Sequence, residues 1–118
     1  MAGMRGEEVL KLGYAEWMGA VMRVLITIKI IERDFYGASY LIERVSLLGI
    51  GTADLSECVT FVKGVVLLMK KKTAEGLTKL LEVDEMLSEL RGDEFTQQIK
   101  RVYHLYLIYA YFLLGEPL

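Results

Sequence analysis

One histidine, His104, is the only side chain in this 118-residue sequence that titrates near neutrality without help from its surroundings. Projected as a helix at about 100° per residue, it lies beside Lys100, Arg101 and Tyr111. Phe95, Ile99, Val102, Tyr103, Tyr106, Ala110 and Leu113 fall on the opposite side. Cationic neighbours disfavour protonation of the imidazole and suit a phosphate, so proton transfer on a nucleic acid is the chemistry to consider. Lys70, Lys71 and Lys72, together with Lys100, Arg101 and His104, form the candidate nucleic-acid contact set.

Against this stand several spacings. The small helical ribonucleases of the HEPN type separate Arg from His by more than Arg101 and His104 are separated here. Helical di-iron sites place Glu three residues before His, where this chain has Arg101, and Cys58 has no second thiol with which to share a zinc ion. No metal and no cofactor is therefore expected. The acidic residues Glu82, Asp84, Glu85 and Glu89 spread around a solvated helix, and "GIGTADLS" has the glycines of a phosphate loop without its lysine. The lysine run offers few charges and no interleaved aromatic ring for base stacking. It is explained more simply as positive charge at a helix C-terminus, which complements the helix dipole. Catalysis is not the leading expectation, and a small nucleic-acid-associated protein or ribonuclease stands as the alternative.

Composition narrows the classes further. Hydrophobic residues make up 53% of the chain and mean hydropathy is +0.34, above the usual apolar content of about 45–50%. Basic and acidic residues number 14 and 16, a net charge of −2, so no global field draws in nucleic acid or an anionic bilayer. A single cysteine permits no intramolecular disulfide, and the N-terminus lacks the basic-then-apolar order of a signal peptide. A cytoplasmic protein is expected. The apolar run 102–114 is 13 residues, about 20 Å of helix against a hydrocarbon core of about 30 Å, so a membrane anchor is excluded on length.

The elements that carry these residues are helices. With one proline, Pro117, nothing interrupts long helical segments, and Gly, Asp and Thr punctuate the chain. A first helix over 7–32 is apolar around most of its circumference and reads as central to the fold. Residues 24–31, "VLITIKII", also alternate as a strand would, but no convincing partner strand exists to satisfy their backbone. Asp34 caps a second helix over 35–48, which Gly49 and Gly51 close. Asp54 and Glu57 have capping-box spacing for a third helix from 55, ending in the three lysines, with Leu55, Val59, Val62, Val66 and Met69 along one face. Thr73 precedes a fourth helix over 74–91, with Leu77, Leu80, Leu81, Val83, Leu87 and Leu90 inward. Gly92 and Asp93 separate it from a fifth over 94–114. Residues 1–118 thus form one all-α domain of about five antiparallel helices, a bundle or a short stack of helical hairpins.

Setting "GASYLIERVSLL" over "EGLTKLLEVDEML" aligns Ala38 with Gly76, Ile42 with Leu80, Val45 with Val83 and Leu48 with Met86. Over about half the chain this resembles tetratricopeptide repeats, in which a small residue early in the second helix of each hairpin lets the helices approach closely. The offset is 38 residues where that family uses about 34, Lys29 replaces an aromatic residue, and no proline closes either hairpin. The resemblance implies a peptide-binding scaffold without catalysis.

The fifth helix carries the strongest signal for a partner. From Leu105 onward both its faces are apolar: Tyr106, Tyr109, Ala110 and Leu113 on one, Leu105, Ile108, Tyr111 and Phe112 on the other. One face can enter the chain's own core. The other would leave large side chains in water, and tyrosines suit interfaces because an apolar ring carries a polar tip. Leu105, Ile108, Tyr109, Tyr111 and Phe112 are the expected interface, in a homodimer because most soluble self-assembly is two-fold, or with another protein.

Overall fold

A computed structural model of the chain describes residues 6–49, 55–89 and 94–115. Five helices follow one another: α1 (Gly6–Ile31), α2 (Phe35–Leu47), α3 (Ser56–Met69), α4 (Thr73–Glu89) and α5 (Glu94–Leu114). The fold is all-α, and the described residues contain no strand. Residues 24–31 lie wholly inside α1. Met22, Ile26 and Ile30, four apart, are buried along one side of that helix, a spacing only a helix can align.

The ends of α1 and α3 use charged residues where glycine would be expected, whereas Gly49 and Gly115 take the left-handed position after α2 and α5. At the end of α1 the Asp34 N–H donates to the Lys29 carbonyl (2.8 Å) and the Arg33 N–H to that of Ile30 (3.0 Å), with Arg33 at φ 64°. This is a Schellman closure with arginine in the left-handed position. Asp34 then begins α2, its carboxylate accepting from the Gly37 N–H at 2.9 Å and meeting Lys29 Nζ at 3.3 Å. The Gly37 N–H, and after it Lys29, hold this carboxyl below the usual range. The end of α3 repeats the device: Lys72 N–H to Leu67 carbonyl (2.9 Å), Lys71 N–H to Leu68 carbonyl (3.0 Å), and Lys71 at φ 64°.

A left-handed L-residue costs about 1–2 kcal/mol, which glycine avoids. Lys71→Gly is therefore expected to stabilise the protein by about 1 kcal/mol and raise its thermal midpoint by about 4 °C. A midpoint that fails to rise in a calorimetric scan would count against this reading of the corner.

The centre of the fold is α3, which packs against the other four helices. Its buried side is Cys58, Phe61, Val62, Val65 and Leu68. This side is rotated from the face read in the sequence, where Val59 and Val66 are only partly covered and Met69 is exposed. The first helix is peripheral, not central: Trp17, Val24, Leu25 and Ile28 face outward because α3 occupies the middle.

The closest approach is between α3 and α4. A Cβ on Gly64 would stand 3.0 Å from Leu80 Cδ2 and 3.3 Å from the Gly76 carbonyl oxygen. One on Gly76 would stand 2.8 Å from Leu68 Cδ2 and 2.9 Å from the Gly64 carbonyl oxygen. Two glycines thus face each other where the backbones nearly touch.

An ion pair between Arg23 and Glu57 ties α1 to the first turn of α3. Asp54 and Glu57 are the pair read from the sequence as a capping box. Asp54 lies outside the described residues, Leu55 occupies the N-cap with no side-chain bond, and the Glu57 carboxylate turns to Arg23. Beneath it Cys58 is fully buried beside Thr27. Burial first, and the Glu57 charge second, push its thiol up to about 11, which leaves it protonated and inert as a nucleophile.

Candidate interaction surface

Helix α5 divides lengthwise. Ile99, Val102, Tyr103 and Ala110 are buried, with Thr96 at the start of the same stripe. Tyr106, partly buried, brings its ring to 5.0 Å from that of Phe35 in an edge-on contact and to 6.4 Å from that of Phe61. On the other side Leu105, Ile108, Tyr109 and Phe112 stand at the i, i+3, i+4, i+7 spacing that aligns side chains along a helix. Leu105 and Ile108 are each 53% exposed and Phe112 76%. Tyr111, the remaining residue of the expected interface, is partly buried.

Tyr109 and Leu113, which helical projection assigns to the inner stripe, are exposed. The reason is the length of the neighbours. The first and third helices have already turned at Arg33 and Lys71, so Ala110 is the last α5 residue in the core.

The exposed stripe runs into a groove of about 500 Å³. Arg33 and Phe35 border it from the α1–α2 corner, Met69 from the end of α3, and Leu105, Tyr106 and Tyr109 from α5. Its lining is mainly apolar, with one cation, Arg33, among the lining residues. Burial raises the Tyr106 hydroxyl above its ordinary pKa, an effect that the Arg33 charge opposes. Such a surface can hold an apolar helix and orient it through an acidic or hydroxyl group set against Arg33. It contains no nucleophile paired with a base.

The outward face of α1 is a second exposed apolar stripe. Its signal was present in the i, i+4, i+7, i+11 spacing of Trp17, Val21, Val24 and Ile28, which an apolar pattern on all sides of the helix obscures.

The basic residues separate into two groups. Lys70, Lys71 and Lys72 are exposed at the α3–α4 turn, and Lys70 shares a groove of about 280 Å³ with Lys63, Lys79 and Ser39. Lys100 and His104 line a different pocket, with Asp84, Leu87, Ser88 and Tyr103. Arg101 is exposed and lines neither pocket. The candidate nucleic-acid set is thus not gathered into one cavity.

Among the described residues no cluster of three or more His, Cys, Asp and Glu could hold a metal ion. None of the helices is long and apolar enough, over those residues, to cross a membrane. No family model matches this chain, and no curated protein or solved structure is detectably similar to it.

Proposed function

We propose that this protein is a non-enzymatic helical interaction module of the cytoplasm that forms a homodimer through the outer face of α5. The observation that carries the reading is the stripe Leu105, Ile108, Tyr109 and Phe112, solvent-exposed and continuous with the groove. Large apolar side chains grouped on one face and running into a concave lining are the usual mark of a protein-binding surface. A second copy of the chain supplies a matching stripe, and two-fold symmetry sets the stripes against each other. The ribonuclease alternative has less support, because the lysine turn and His104 line separate cavities.

Sedimentation velocity at micromolar concentration tests the proposal. The expected result is a dimer that the pair Ile108→Asp and Phe112→Asp weakens at least about 30-fold, roughly 2 kcal/mol. Since both side chains are exposed, the variant keeps its helical circular dichroism. A monomer for the parent chain over the whole micromolar range would refute self-association.

A further inference from the structure

The exposed face of α5 carries a hollow and a projecting ring at different heights along the helix. Leu105, Tyr106 and Tyr109 form the α5 wall of the apolar groove, which Arg33, Phe35 and Met69 complete. Phe112 does not line it and is the most exposed large apolar side chain among the described residues. From the middle of that wall to Phe112 is about five residues, or roughly 8 Å of helix. A chain cannot place this ring in its own groove, because both belong to one continuous helix. A cavity of about 150 Å³ holds benzene. The groove, at about 500 Å³, accepts such a ring together with another side chain of the stripe.

Charge points to the same pairing. Arg33 is the cation in the groove lining, and its guanidinium donates to the Ile31 carbonyl with further N–H groups left to donate. The last turn of α5 contains no basic residue. The partial negative charge of its final carbonyls is therefore not offset by a side chain of that turn.

We propose that two copies of the chain set α5 against α5 in opposite directions, each placing Phe112 in the other's groove and the C-terminal turn of α5 beside the other's Arg33. This rests on the dimer proposed above and adds its direction and its occupant. A two-fold axis crossing α5 near Tyr109, midway between ring and hollow, makes both exchanges at once. Parallel helices would instead set Phe112 against Phe112, leave both grooves unfilled and bring two negative helix ends together. Viewed down the helix at about 100° per residue, Phe112 and the groove wall differ by roughly 65°. The two helices therefore cross obliquely, as packed helices commonly do.

Electron–electron double resonance on the dimer reads the direction. A nitroxide attached to Gln97→Cys sits at an exposed position about two turns before the stripe. The buried, protonated Cys58 does not compete for the label. Antiparallel pairing about Tyr109 separates the two labels by about 30 Å or more, whereas a parallel pair keeps them within about 20 Å. Met69→Glu tests the hollow. Met69 is exposed and lies off α5, so the variant keeps its helical circular dichroism. Sedimentation velocity should show its dimer weakened at least about tenfold, because the new charge meets an apolar ring and a negative helix end. Met69→Leu, which keeps the apolar wall, should leave the dimer within about threefold of the parent. Labels within about 20 Å, or a Met69→Glu dimer as tight as the parent, overturn this pairing while the dimer itself stands. A parent chain that remains monomeric removes the dimer and the pairing together.

Discussion

Gly76→Val is expected to cost about 3 kcal/mol or more, a large share of the roughly 5–15 kcal/mol that holds a domain of this size folded. The cause is the position of the obstacle. A Cβ at Gly76 would lie 2.9 Å from the Gly64 carbonyl oxygen, which belongs to the backbone of α3 and cannot rotate aside. The methyl groups of valine extend the collision toward Leu68. Gly76→Ala is a finer test, since alanine is better than glycine inside a helix by about 0.5–1 kcal/mol and would stabilise α4 if space allowed. Here it is expected to destabilise. Gly19 in α1, with nothing within 4 Å of a Cβ, provides the control, and Gly19→Ala should gain the propensity difference. Urea midpoints for the three variants decide the matter. If Gly76→Ala stabilises as much as Gly19→Ala, the close crossing of α3 and α4 is not real.

The second large effect is expected at Phe61. Its ring lies 6.0 Å from that of Phe35, 5.8 Å from that of Tyr103 and 6.4 Å from that of Tyr106, so one side chain links α2, α3 and α5. Phe61→Ala removes these contacts from a fully buried site and should cost about 3–5 kcal/mol, partly as lost transfer energy and partly as a cavity. Phe61→Leu, which keeps most of the volume, should cost less than half as much. Because Phe35 and Tyr106 also line the apolar groove, the alanine variant should weaken the proposed dimer at temperatures where it remains folded. A loss of about 1 kcal/mol or less in chemical denaturation would show that Phe61 is not the junction described.

The contrast between Gly64 and Asp34 shows which parts of the fold could be read from sequence. Asp34 begins α2 through bonds to residues a few positions away, and such local chemistry is visible in a single chain. The same holds for the helical reading of 24–31 and for the amphipathic start of α5. Gly76 holds the small-residue position of the hairpin alignment, early in α4, but nothing local marks Gly64, which faces it together with Leu68 and Leu80 across two helices. Arg33 and Lys71 illustrate the opposite difficulty. A left-handed corner normally advertises itself with glycine, and here it is occupied by residues that favour no such conformation. The peripheral place of α1 was hidden because the apolar circumference of a helix does not say which neighbour covers which side. For the candidate surface, the exposed residues of α5 could be named from their spacing, but the groove could not, since Arg33 and Met69 reach it from distant parts of the chain.

Arg33 has one further consequence, which concerns entropy. Its backbone is held in the left-handed corner by the hydrogen bonds that close α1, and its guanidinium donates to the carbonyl of Ile31. A long side chain usually gives up about 0.5–1.5 kcal/mol of rotamer freedom when a partner immobilises it. The bond to Ile31 restricts part of that freedom at Arg33 before any partner arrives. The cation at the rim of the groove is therefore partly pre-organised, and an acidic group that meets it has less ordering to oppose its attraction.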